Sequence, residues 1–291
     1  MQTGELAVRF ETHFGYFKGC PFMYLSEFHP PARPCRIESS LRAKPADDGD
    51  RWRRLYLKTP QLPLTHIAAC FDSKYRAVAV PASRPEYNRC LEFRSGFPDG
   101  LAGLVSLLET GLCLPAPAPF DLVLALDRYK TIDEDVPADQ WANTEVGQLI
   151  HQAKYFTYSP GKQKQAREAL AARLAAAIER HPAYRDAPYL LSVPGSSGTG
   201  NSTGERVAHL VAEATHKQLI QTIGPARAPR KADPNIDVRG LFSSPAMLDG
   251  PCVIVDDVWH TGATCTEVAQ VAKLAGAHAV YGLVGARTMR N

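Results

Sequence analysis

The sequence predicts an α/β protein built on a mainly parallel β-sheet flanked by helices, preceded by a region of mixed α+β structure. Three observations carry this. From about residue 120 onward, apolar strand patterns alternate with amphipathic helical ones. The apolar run Cys252-Val253-Ile254-Val255 leads into Asp256-Asp257, as a buried strand does when it delivers polar groups to its C-terminal end. Two loops rich in glycine and hydroxyl residues, 194–204 and 261–264, each stand between a strand pattern and a helix pattern.

The chain has 291 residues, 45% hydrophobic and 22% charged, the composition of an ordinary globular protein. No run reaches the roughly 18 apolar residues of a membrane span. The start, Met1-Gln2-Thr3-Gly4-Glu5, has neither the basic nor the apolar segment of a secretory leader. A cytoplasmic location and no membrane partner are therefore expected. Seven cysteines, none in a C-x-x-C pair, argue against a zinc site or a disulfide framework and for reduced, buried thiols. A net charge of +3 is too small to argue for nucleic acid on its own. The cluster Arg51-Trp52-Arg53-Arg54 can touch phosphate or serve as a solvated face.

In order along the chain, residues 1–115 read as a domain of short elements between proline breaks. Short strands are expected at 55–57, 67–71 and 77–80, and a turn at 47–50. Leu101, Leu104, Val105 and Leu108 mark a helix that Gly111 ends. The run Pro115-Ala116-Pro117-Ala118-Pro119 reads as a stiff linker. A second domain, 120–291, follows. Strands are expected at 120–126, 189–193, 219–223, from 252, and at 279–284. Helices are expected over 144–155, 161–180 and 205–218, and through Val268, Val271 and Ala275. The polar stretch 224–250 is too long for a plain connection and predicts a lid.

The chemistry gathers at the strand ends. Asp256 and Asp257 can hold a divalent cation, accept hydrogen bonds from sugar hydroxyls, or stabilise positive charge on a sugar ring. After them, Thr261-Gly262-Ala263-Thr264 offers backbone N–H groups and hydroxyls at a helix start, suited to a monoester phosphate. Pro194, Gly195, Ser196, Ser197 and Gly198 open a second loop that can cradle an anion; without Gly-Lys-Ser/Thr it is no Walker loop. Arg227, Arg230 and Lys231 can fold over a leaving diphosphate. His260 can take a proton from a nitrogen nucleophile, or only donate to phosphate or solvent. Trp259 can stack on a base or pack against the sheet.

Residues 253–264 resemble the phosphoribosyl-diphosphate (PRPP) signature of type I phosphoribosyltransferases. The span from Thr144 to Arg287 is similar to the ComF-type, competence-associated subgroup. Leu149-Ile150-His151-Gln152-Ala153-Lys154-Tyr155 looks like its early helix, Val193-Pro194 like the start of its diphosphate loop, and Asp237-Val238-Arg239-Gly240-Leu241-Phe242 like its segment before the signature strand. The subgroup's N-terminal zinc-binding cysteines are absent. Thr199 and Thr203 stand where basic residues are expected, and Asp237 where Asn is usual.

The resemblance implies a five-stranded parallel core and a Mg²⁺-dependent enzyme. Such an enzyme transfers ribose 5-phosphate from PRPP to a nitrogenous acceptor and releases diphosphate. It implies catalytic roles for Asp256, Asp257 and His260, with the two acids facing the ribose hydroxyls and the metal. Val258, Trp259, His260, Thr261, Gly262, Ala263 and Thr264 would bind PRPP, with His260 to Thr264 on the 5-phosphate and Ser196 to Gly198 lining the diphosphate. It allows a homodimer and makes 1–115 the candidate hood over the acceptor. The alternative is a PRPP- or nucleotide-binding regulator without turnover that associates with nucleic acid.

Overall fold

The computed structural model describes residues 38–45, 51–94, 96–155, 157–228 and 236–288. The turn expected at 47–50, together with Arg230 and Lys231, lies outside them.

The chain begins with β1 (Glu38–Pro45) and β2 (Arg51–Lys58), paired antiparallel. Helix α1 (Gln61–Phe71) follows. The strand expected at 67–71 is thus the end of a helix. Pro63 sits in its first turn, where a missing N–H costs nothing, and Pro63, His66, Ile67 and Phe71 bury one helical face. Strands β3 (Tyr75–Val78) and β4 (Arg89–Phe93) complete an antiparallel sheet of order β1-β2-β4-β3. On it Glu92, 2% exposed, accepts from Arg54 at 3.0 Å and from Arg76 at 2.7 Å. The Arg76 guanidinium lies 4.6 Å from the Trp52 ring centroid.

Helix α2 (Leu101–Thr110) leads into β5 (Leu112–Leu114), which pairs antiparallel with β6 (Leu122–Arg128). The proline run at 115–119 is therefore the connection between two paired strands, not a spacer. Next come α3 (Glu145–Lys154), α4 (Pro160–Arg180), the short α5 (Pro182–Arg185) and β7 (Tyr189–Ser192). After them come α6 (Thr203–Thr215), β8 (Gln218–Gln221), β9 (Cys252–Trp259), α7 (Ala263–Leu274) and β10 (Val280–Arg287).

The second sheet has six strands in the order β5-β6-β10-β9-β7-β8. Five run parallel and β5 runs against β6. The central sheet is therefore mixed, not the five-stranded parallel sheet expected, because β5 reaches the edge through a tight connection that only an antiparallel pair allows. On one face, Val253, Val255 and Leu283 pack with Ile150 of α3, Leu170 and Leu174 of α4, and Val207 and Val211 of α6. On the other, Ile254 and Val284 pack with Val268, Ala269 and Ala272 of α7. Helices on both faces leave the C-terminal strand ends open for ligand. Among the described residues no helix is long and apolar enough to cross a membrane.

Candidate functional site

The C-terminal ends of β6, β7, β9 and β10 surround a cavity of about 810 Å³. Strand β9 runs past the two acids to Trp259, so Asp256 and Asp257 sit inside the strand, one turn of loop short of the phosphate-type segment. Asp257 is 5% exposed. Its Oδ1 accepts from Lys154 Nζ at 2.8 Å, and Lys154 is the last residue of α3. Asp256 is partly open to the cavity. Its Oδ1 accepts from the Asp257 N–H at 2.8 Å, and its Oδ2 from the Cys265 thiol at 3.6 Å.

These neighbours set the charges. Enclosure by the strand ends, then the adjacent Asp257, push the Asp256 carboxyl up to about 7, with Lys154 opposing. Enclosure works against the Lys154 ammonium, but Asp257 outweighs it and its pKa is raised. Burial followed by the Asp256 charge drives the Cys265 thiol well above its usual range, so it stays a protonated donor. Gly204, in the first turn of α6, makes room for the acid: a Cβ there would stand 2.5 Å from Asp256 Oδ1.

The loop after β9 is shaped by Trp259 and Gly262. Trp259 is 2% exposed and its ring centroid lies 5.8 Å from that of Phe120; it is a core side chain. Gly262 caps α7 at φ +74°, and a Cβ on it would come within 2.2 Å of the Trp259 ring. Only glycine both takes the left-handed turn and clears the indole beneath it. His260, Thr261, Gly262, Ala263 and Thr264 line the cavity with Val258, and the Thr288 hydroxyl lies 2.7 Å from His260 Nδ1.

The glycine-rich loop enters α6 through a capping box. Ser202 Oγ accepts from the Glu205 N–H at 3.2 Å, and Glu205 Oε2 accepts from the Ser202 N–H at 2.8 Å. From the predicted loop residues, Pro194, Gly195 and Ser196 line the cavity, and Ser197 and Gly198 do not. Arg227 also lines it, but its guanidinium donates to Pro194 O at 2.7 Å and Gly195 O at 3.0 Å and lies over Phe242. Its N–H donates to Ser196 O at 2.8 Å. These bonds tie the segment of Arg227 to the loop.

Sequence reasoning gave no site role to Lys154, Tyr129, Lys130, Asp139, Trp141, Tyr155, Cys265 and Thr288, all in the cavity lining. Residues 130–143 form a stapled loop after β6. Lys130 bridges to Asn143, and the Trp141 indole N–H donates to Asp133 O at 2.7 Å and Val136 O at 3.0 Å. No described residue of 38–115 lines the cavity.

By itself the acid pair is not a complete metal site. Among the described residues no group of three or more His, Cys, Asp and Glu side chains is arranged to hold an ion, and three of the four carboxylate oxygens already accept from Lys154, Cys265 and a backbone N–H. An ion at Asp256 and Asp257 would therefore take most of its oxygen shell from a bound substrate and water.

No family model and no curated protein matches the chain. The solved structures that resemble it include the following three. Orotate phosphoribosyltransferase from Aeropyrum pernix is 17% identical over 54% of this chain and 72% of its own, with a TM-score of 0.30. Adenine phosphoribosyltransferase from Leishmania tarentolae is 12% identical over 57% and 91%, at 0.34. Purine phosphoribosyltransferase from Pyrococcus horikoshii Ot3 is 19% identical over 44% and 84%, at 0.26. These are weak structural resemblances only.

Proposed function

We propose that the cavity binds PRPP as its Mg²⁺ salt and transfers its ribose 5-phosphate to a nitrogenous acceptor. The observation that carries this is convergence. The acid pair on β9, the Gly262 loop opening α7 and the glycine-rich loop opening α6 all line one cavity, large enough for a phosphorylated sugar and an acceptor together. Two helix N-termini favour two anionic groups, and the acids between them favour ribose hydroxyls.

In this reading the 5-phosphate lies on the backbone N–H groups and hydroxyls of 261–264, with His260 held at Nδ1 by Thr288. Asp257, held by Lys154, accepts from a ribose hydroxyl. Asp256 offers a second contact to the diol. The acceptor nitrogen attacks C1, the C1–O bond breaks, and its electron pair leaves with diphosphate. The carboxyl groups stabilise the oxocarbenium character that develops between the two events. Magnesium carried in with PRPP would supply charge neutralisation on the diphosphate. Tyr129 and the stapled loop with Trp141 share the cavity lining, and the acceptor would lie against them.

A ComF-like regulator that binds PRPP without turnover is the second reading. The engagement of Arg227 with loop carbonyls favours it, since that guanidinium already has acceptors of its own. One experiment separates the two. The protein is titrated with Mg²⁺-PRPP in a calorimeter and then assayed for diphosphate release with a panel of nucleobases and amines. The expected result is binding with release for at least one acceptor, both reduced at least about tenfold in Asp257→Asn, as for loss of a charged hydrogen bond. Binding without release across the panel supports the regulator. No binding in the wild-type protein sinks both.

A further inference from the structure

If the cavity takes PRPP, its diphosphate needs positive charge, and the glycine-rich loop carries none: residues 194–204 contain no Lys or Arg. Among the described residues, the lysines and arginines of the cavity lining are Lys130, Lys154 and Arg227. Arg227 donates to Pro194 O and Gly195 O. Lys130 donates to Asp139 O on the exposed stapled loop. Lys154 differs from both. It projects from the C-terminal end of α3 and its side chain is 34% exposed. Its partner Asp257 is only 7% exposed as a side chain, so the ammonium stands between the carboxylate and the open space. An ammonium has further N–H donors beyond the one given to Asp257.

We propose that Lys154 is the cation that meets the substrate's diphosphate, replacing the basic residues that this loop lacks. This rests on the reading of the cavity as a PRPP site and adds a residue to it. In the free protein Lys154 is held by Asp257, which keeps an ammonium in a half-buried position without a counter-anion from solvent. When the sugar diol occupies Asp257, the ammonium keeps one contact to that carboxylate and gives another N–H to a diphosphate oxygen. As the C1–O bond breaks, the electron pair passes to that oxygen and the ammonium stabilises the added charge. No proton needs to move from Lys154 in the step. A single side chain thereby links the diol-binding acid to the leaving group.

The test compares two ligands that differ only in the diphosphate. Binding of PRPP and of ribose 5-phosphate, each with Mg²⁺, is measured by calorimetry for the wild-type protein, Lys154→Met and Lys154→Arg, with inorganic diphosphate as a competitor. Lys154→Met is expected to lose PRPP affinity by roughly tenfold or more, the scale of one charged hydrogen bond, while ribose 5-phosphate binding changes much less. Lys154→Arg is expected to restore most of the preference for PRPP. Because Lys154→Met leaves an acid unpaired in the core, the double variant Lys154→Met/Asp257→Asn, with both charges gone, is read the same way. Its ratio of PRPP to ribose 5-phosphate affinity should fall as in the single variant.

An equal loss for both ligands, with the ratio unchanged in every variant, makes Lys154 only the support of Asp257 and overturns the proposal. So does a variant that still prefers PRPP as the wild type does. A wild-type protein that binds neither ligand overturns the underlying reading of the cavity instead.

Discussion

At Gly262 one missing methyl group decides whether the phosphate-type loop can form. Its φ of +74° is one that side-chain-bearing residues seldom take, and the Trp259 ring fills the space where a Cβ would stand. Gly262→Ala is therefore expected to destabilise the fold by about 1–3 kcal/mol and to abolish anion binding at the loop. Gly161 is the control: it lies in the first turn of α4 with nothing within 4 Å of an added Cβ. Gly161→Ala should be neutral or slightly stabilising. Thermal melts of the two variants check this, and equal melting temperatures would refute it. The residue scale also shows what was legible. Asp256, Asp257 and the loop after them are contiguous, so spacing alone exposes them. Lys154 is not, because it meets Asp257 across 103 residues of sequence, a distance no local pattern spans. Trp259 was ambiguous in sequence because an aromatic beside a site serves either stacking or packing; its burial against Phe120 decides for packing.

Among the elements, the junction of α1 with α5 carries a titratable device that no motif announces. His66 of α1 and His181, the residue before α5, are 2% and 0% exposed, with Nδ1 of the first 2.9 Å from Nε2 of the second. Tyr184 stacks on His181 at 3.9 Å, and Cys70 Sγ lies 3.8 Å from its Nδ1. Burial lowers His66 from 6.5 to about 4, and burial followed by the neighbouring imidazole holds His181 well below its usual range. Both are neutral in the fold, while the unfolded chain takes up protons below about 6.5. Their contribution is thus complete above that pH and is lost as pH falls toward 4. The melting temperature should drop over this window, and His66→Gln/His181→Gln should flatten the drop while lowering stability at neutral pH. An unchanged slope would rule the pair out as its source. The sequence hid this junction because 67–71 reads as a strand. A proline in a first turn is invisible to strand-or-helix pattern until the buried face at 63, 66, 67 and 71 is known.

Across the whole molecule, the alternation of strand and helix after residue 120 was readable because each element carries its own period, and the structure keeps nearly all of them. What no single element encodes is pairing across a break. The proline run that reads as a linker joins β5 to β6 within one sheet, so an expected boundary falls between hydrogen-bonded neighbours. The core crosses the same line. Leu55, Leu57, Leu91 and Phe93 of the first sheet, with Leu101, Leu104 and Leu108 of α2, pack in one continuous cluster with Leu122, Leu124, Leu170, Leu174 and Ile178. A domain that can stand alone closes its own core; a fragment of residues 120–291 would leave that cluster's apolar surface open to water. Each large side chain so uncovered forfeits about 1.5–3 kcal/mol, and a few of them exceed the usual net stability of a domain of about 5–15 kcal/mol. The full chain should therefore unfold in one cooperative transition followed alike by tryptophan fluorescence and far-UV circular dichroism. The 120–291 fragment should be aggregated or lack native-like near-UV dichroism. Two separated transitions in the full chain, or a fragment that melts cooperatively and keeps its ligand affinity, would show that the first 115 residues are an independent unit after all.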